Sequence, residues 1–168
     1  AAGLADTYLR RDGAPAIPPT IVADKVSGLT IVYAVLAALH HRDRTGEGQR
    51  VEVPMVEAMT AFMLAEHGSA AIPEPPLGDA GYTRVMSSNR GPQPTADGWV
   101  HMLPYSKQNY VDLFVAGGRP DLADDPRLEN RATRARVAND LYGEVKAITP
   151  TRTTDEWIVF CDEHDIPA

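Results

Sequence analysis

Asp24 is the residue of this sequence whose position best suits chemistry. It follows Ile17–Ala23, where two prolines and several β-branched residues favour an extended backbone. It precedes a run of apolar residues with helical spacing, so we predict that it lies at or next to a helix N-cap. Free backbone N–H groups and the positive end of the helix dipole favour a negative charge there. The position alone favours a simple capping role over a catalytic one.

The elements around Asp24 are predicted from periodicity. Apolar residues recur at intervals of three and four and predict an amphipathic helix over 25–44: Val26, Leu29, Val32, Tyr33, Leu36 and Leu39. Gly46 follows as a left-handed stop. Gln49–Val53 alternates like a strand, and Pro54 fits the first turn of a helix that runs to about Ser69.

The order of the motifs around Asp24 resembles family III CoA-transferases, the group of formyl-CoA transferase, carnitine CoA-transferase and α-methylacyl-CoA racemase. The motifs are Asp24-Lys-Val-Ser-Gly28, Thr45-Gly-Glu-Gly-Gln49, the alternating strand and Met55-Val-Glu-Ala58. Further matches follow in the family's order: Thr95–Val100, Asp124–Leu128 and Thr153–Trp157. The resemblance therefore covers nearly the whole chain.

This resemblance implies a chemical role for Asp24. In the family, the aligned aspartate attacks an acyl-CoA thioester to give a mixed anhydride, and then carries CoA as a thioester. An acceptor carboxylic acid takes the CoA through a second anhydride. A carboxylate attacks only when it is ionised, so we expect Asp24 to keep one oxygen free of its own helix.

The resemblance also implies partners and cofactors. Coenzyme A thioesters and carboxylic acids would be the substrates, no cofactor would be permanently bound, and the intact protein would form an interlocked homodimer. We expect the sequence to be an internal fragment of less than half a family member. Most of the CoA-binding surface would lie upstream, so the isolated fragment should be inactive.

Two alternatives stay open from the sequence. One is exchange of the α-proton of an acyl-CoA, as in a racemase, where Asp24 would move a proton. The other is a non-catalytic fragment or paralogue that acts only by association.

The expected fold class is α/β, with the end of a Rossmann-like large domain over 1–71. A proline-rich linker over 72–81 would lead to a small α+β domain over 82–168. In this second part Ser87–Pro94 stands where relatives carry a glycine-rich loop. Arg90 is a candidate for binding a carboxylate or a CoA phosphate, against the simpler interpretation of a solvated surface arginine.

Further elements are predicted downstream. Trp99–Leu103 is predicted to be a strand with a core-facing, hydrogen-bonded His101, and Ser106 to cap a helix to Ala116. A charged amphipathic helix is expected over 132–148. Thr153 and Glu156 form the pattern of a capping box for a last helix.

Composition excludes several classes of function. The net charge of −7 disfavours nucleic acid as a partner. The single cysteine, Cys161, rules out an intrachain disulfide and fits a cytoplasmic protein. We expect no metal site, because the histidines lack partners at ligand spacing. We expect no segment to span a membrane.

Overall fold

The computed structural model describes residues 2–168, which are mostly helical and divide into two compact units that meet in sequence between Tyr82 and Thr83. The first unit contains α1 (Leu4–Asp12), α2 (Val22–Thr45) and α3 (Met55–His67). Gly46 ends α2 with a φ of 79°, and its N–H donates to the carbonyl oxygen of Arg42 at 2.7 Å. The predicted left-handed stop is confirmed.

Helix α2 packs against α3 and leaves most of its surface exposed. Ser27 is the one buried residue of α2, and the apolar side chains of Leu29, Val32 and Tyr33 are exposed. By length and composition α2 is long enough and apolar enough to cross a membrane, contrary to our expectation from the sequence. The core helix of a soluble protein can have the same length and apolar composition as a membrane-spanning helix, so these two properties do not distinguish them.

The predicted strand at Gln49–Val53 is wrong for the described residues. These residues form no regular element, and no described segment pairs with them. A strand needs a neighbour that accepts and donates its backbone hydrogen bonds, and alternation alone does not provide one.

The second unit surrounds one hydrophobic core. It contains β1 (Gln93–Pro94), β2 (Trp99–Val100), α4 (Lys107–Ala116), α5 (Arg131–Arg136), α6 (Ala138–Ile148) and α7 (Thr154–Glu163). Two 3₁₀ turns lie between α4 and α5, and one lies between α6 and α7. The core includes fully buried residues from α4, α6 and α7: Leu113, Phe114, Leu141, Val145 and Trp157. The indole N–H of Trp157 donates to the carbonyl oxygen of Thr149 at 2.8 Å.

The helix caps of this unit are as predicted, whereas the number of helices is not. Ser106 caps α4, and Thr153 with Glu156 forms the predicted capping box of α7. The helix expected over 132–148 is instead two helices that meet at Val137. The expected α/β character is absent from the described residues, whose one sheet is the antiparallel pair β1–β2.

Candidate functional site

Asp24 lies in the first turn of α2, three residues after Ile21, which occupies the N-cap position. The prediction that Asp24 lies at or next to the cap is therefore wrong by two residues. Its side chain is exposed and forms no hydrogen bond or ion pair with the described residues. The neighbouring Lys25 donates to the hydroxyl of Thr20 at 2.7 Å instead. Both carboxylate oxygens of Asp24 are therefore available to a substrate.

A largely apolar cavity of about 570 Å³ opens next to this turn. Ala23, the residue before Asp24, lines it together with Leu4, Ile17, Met55 and Met59. The cavity is within the size range of small-molecule pockets. It is formed where the start of α1 and the start of α3 approach the start of α2, and Ala23 is the residue of α2 that lines it.

Two further features of α2 lie one turn after Asp24. The hydroxyl of Ser27 is buried and has no hydrogen-bond partner among the described residues, whereas Thr30 donates to the carbonyl oxygen of Val26 at 2.9 Å. Gly28 has open space where a Cβ would lie. A glycine inside a helix costs about 1 kcal/mol relative to alanine. Both residues belong to the motif Asp24-Lys-Val-Ser-Gly28, although no separate role was predicted for either.

The second unit contains a separate group of polar residues, Arg90, Gln93 and His101. Four buried side-chain atoms of this group have no hydrogen-bond partner within the described part of the chain: Arg90 Nε, Gln93 Nε2, Gln93 Oε1 and His101 Nε2. The predicted hydrogen bond of His101 is thus absent. Burial, and next the charge of Arg90, lower the pKa of His101. The sequence suggested a ligand-binding role for Arg90 and a structural role for His101, whereas the burial of Gln93 depends on packing and was not predicted.

Within residues 2–168, no group of three or more His, Cys, Asp or Glu side chains could hold a metal ion.

Comparison with known proteins gives consistent matches. The model of the family described as CoA-transferase family III matches residues 1–168. Succinyl-CoA--D-citramalate CoA-transferase of Chloroflexus aurantiacus is 32% identical over 93% of this chain and 40% of its own. Formyl-CoA:oxalate CoA-transferase of Escherichia coli is 27% identical over 100% of this chain and 46% of its own.

A solved structure has the same fold. The crystal structure of Rv3272 from Mycobacterium tuberculosis matches with a TM-score of 0.71 and 26% identity, over 93% of this chain and 40% of that one. The chain thus spans less than half the length of the relatives that it matches.

Proposed function

The chain belongs to CoA-transferase family III, and on that premise we propose that it carries the nucleophile of an enzyme that moves CoA between an acyl-CoA and a carboxylic acid. The observation that carries the proposal is Asp24, which lies exposed in the first turn of α2 and has no partner among residues 2–168. Relatives with 32% and 27% identity are CoA-transferases. Both support transfer of CoA as the general activity.

The position of Asp24 suits a carboxylate nucleophile. Free N–H groups of the first turn and the positive end of the helix dipole interact favourably with negative charge at this position. No described cation competes for its oxygens, since Lys25 is engaged by Thr20. A charge-paired carboxylate would be a weaker nucleophile, so the absence of a partner favours attack.

The first half of the reaction moves CoA onto the protein. An oxygen of Asp24 attacks the thioester carbon of the acyl-CoA, the C–S bond breaks, and CoA leaves as a thiolate. The thiolate then attacks the aspartyl carbonyl carbon of the mixed anhydride. The donor acid leaves with the bridging oxygen, and Asp24 carries CoA as a thioester.

The second half moves CoA to the acceptor. The acceptor carboxylate attacks the aspartyl carbonyl carbon and releases the thiolate, which gives a second anhydride. The thiolate attacks the acceptor carbonyl carbon, and the bridging oxygen stays on Asp24. The carboxylate is regenerated, and one of its oxygens now comes from the acceptor.

The cavity beside Ala23 is proposed to receive the acyl group. Its lining is mainly apolar and includes Leu4, Ile17, Met55 and Met59. Burying an apolar acyl group there would stabilise the complex by about 25 cal/mol per Å² of buried apolar area. CoA enters and leaves as a substrate, and we propose no permanently bound cofactor.

The wider architecture is also a proposal. We place α1–α3 at the end of a Rossmann-like large domain, and a linker near 72–81 before a small domain. The intact protein is proposed to be a cytoplasmic, interlocked homodimer. Sedimentation of the full-length protein would test the dimer, and cell fractionation would test the location.

The mechanism predicts that one oxygen of the acceptor acid is transferred to Asp24. The full-length protein is incubated with acyl-CoA and acceptor acid labelled with oxygen-18, then digested with trypsin. Asp24 lies in the peptide Asp12–Lys25, which also contains Asp12, so fragmentation compares two aspartates. Label on Asp24 alone is expected. An unlabelled Asp24 during turnover would contradict the proposal, and α-proton exchange without label would indicate a racemase.

A further inference from the structure

The cavity of about 570 Å³ in the first unit has walls with almost no polar side chains. Asp6 is the one ionisable residue among the described residues that line it, and the others are alanine, glycine, leucine, isoleucine, valine and methionine. A ligand group that enters this cavity exchanges water for apolar contacts. The exchange favours an apolar group and costs free energy for a charged group that finds no partner.

The one charge in the lining of the cavity is negative. Asp6 lies in the first turn of α1, and its carboxylate pairs with Arg10, one turn later, at 2.6 Å. Arg10 and Lys25 are the cations nearest in sequence to the residues that line the cavity, and neither of them lines it. A carboxylate brought into the cavity would therefore meet the like charge of Asp6, which repels it, and no lining cation among the described residues.

The starts of three helices meet at the cavity, and their dipoles alone would favour an anion there. Leu4 of α1, Ala23 of α2 and Met55 of α3 line it. Each of these helices has an acidic residue in its first turn: Asp6, Asp24 and Glu57. A helix N-terminus carries about half an elementary charge, so a full negative charge in each first turn outweighs it. The helix starts therefore do not make the cavity a site for a carboxylate.

Methionine side chains line the cavity on the side of α3. Met55 and Met59 are one turn apart on this helix, so they share a face, and Met59 is buried. A methionine side chain is unbranched and has three rotatable bonds, which lets it adapt to groups of different shape. The cavity should therefore accept apolar chains that differ in length or branching.

We propose that this cavity selects neutral, apolar acyl groups over acyl groups with a second carboxylate, and that Asp6 is a specificity-determining residue. The proposal rests on the proposed function, because it takes an acyl-CoA as the ligand of the cavity. It narrows the substrate class from any acyl-CoA to one with an uncharged aliphatic acyl group. Asp6 acts through its charge on the bound acyl group and takes no part in bond formation.

The test compares butyryl-CoA with succinyl-CoA, whose acyl groups have the same number of carbon atoms and end in a methyl group or a carboxylate. Binding is measured by calorimetry on the full-length Asp24→Ala variant, which lacks the proposed nucleophile. Since all the ligands share CoA, differences in affinity report the acyl group. We expect butyryl-CoA to bind about tenfold or more tightly than succinyl-CoA, equivalent to about 1.4 kcal/mol. Acetyl-CoA should bind more weakly than butyryl-CoA, by about fourfold for each CH₂ group that it lacks, equivalent to about 0.8 kcal/mol.

Asp6→Asn removes the charge from the lining and releases Arg10 from its ion pair. In the Asp24→Ala background it should tighten the binding of succinyl-CoA by about threefold or more and leave that of butyryl-CoA unchanged. Asp12→Asn is the matched control, because Asp12 is the last residue of α1, pairs with Arg11 at 2.7 Å and does not line the cavity. It should leave both affinities unchanged.

Equal affinities for butyryl-CoA and succinyl-CoA would overturn the proposal, as would binding of neither ligand. Equal effects of Asp6→Asn and Asp12→Asn on succinyl-CoA would overturn the role of Asp6. If Asp6→Asn does not fold, Met55→Lys adds a cation to the lining at an exposed position. It should favour succinyl-CoA, and an unchanged preference would overturn the proposal. The oxygen label on Asp24 reports transfer by the wild type whatever the acyl group, so the proposed function and this selectivity fail separately.

Discussion

Replacing Asp24 should abolish activity and leave the fold intact. Asp24→Asn keeps the size of the side chain but removes the charged nucleophile. Loss of a covalent nucleophile typically lowers kcat by factors near 10⁶, so we expect a fall of about 10⁴-fold or more. Since asparagine can deamidate back to aspartate, Asp24→Ala should be assayed in parallel and should lose activity equally.

The expected effect on stability follows from the contacts of Asp24. Its side chain forms no hydrogen bond or ion pair with the described residues, so the substitution breaks none. The remaining contribution is the interaction of the charge with the helix dipole, about 0.3–1 kcal/mol. The free energy of unfolding of Asp24→Asn, measured with urea, should therefore fall by about 1 kcal/mol or less.

A matched control separates the two effects. Asp155 is also an exposed aspartate in the first turn of a helix, α7. Asp155→Asn should show a similar small change in stability and normal CoA transfer. The reasoning is refuted if Asp24→Asn keeps activity within tenfold of the wild type. It is also refuted if the free energy of unfolding of Asp24→Asn is lower than that of the wild type by more than about 2 kcal/mol.

Three further predictions concern the second unit. Cys161 is fully buried and burial raises its pKa to about 11, so iodoacetamide should not label it at pH 8 until the protein unfolds; labelling of the folded protein would refute this. Gly117→Ala would place a Cβ 2.5 Å from the Cβ of Ile148, so its free energy of unfolding, measured by thermal unfolding, should fall by about 1–3 kcal/mol. Gly48→Ala is the control, because its Cβ would meet no atom within 4 Å and should leave the stability unchanged. The pKa of Asp97 is lowered, chiefly by a backbone hydrogen bond from the start of α7, so its contribution to stability is present above about pH 4 and is lost as pH falls through its folded pKa. Urea titrations should show this acid loss in the wild type but not in Asp97→Asn.

Local signals predicted the ends of helices well. Gly46 adopts the left-handed conformation that stops α2, and Thr153 with Glu156 forms the capping box of α7. These features depend on residues within a few positions of each other. The sequence shows such residues directly, and no distant partner is needed to form the contact.

Elements that depend on distant partners were predicted poorly. Gln49–Val53 has strand periodicity but no pairing segment among the described residues. The charged helix over 132–148 breaks at Val137, where its backbone leaves the helical region. Pairing and breaks of this kind depend on tertiary packing, which periodicity does not report.

In the candidate site, too, the features set by neighbouring residues were predicted and those set by distant residues were not. Asp24 was identified by its place before an apolar run and by the resemblance to the family, and the structure places it in the first turn of α2. The cavity lined by Ala23 brings together Leu4, Ile17 and Met55, which lie far apart in sequence. Whether His101 forms its predicted hydrogen bond likewise depends on how the hairpin packs, and His101 Nε2 has no partner among the described residues.

Chemical trapping of the aspartyl intermediate tests the central claim most directly. The full-length protein is mixed with acyl-CoA and hydroxylamine, and the tryptic peptide Asp12–Lys25 is sequenced by mass spectrometry. An anhydride or thioester on Asp24 reacts to give a hydroxamate on that residue, whereas Asp12, which is paired with Arg11, should stay unmodified. An active enzyme whose Asp24 carries no hydroxamate under these conditions would contradict the account.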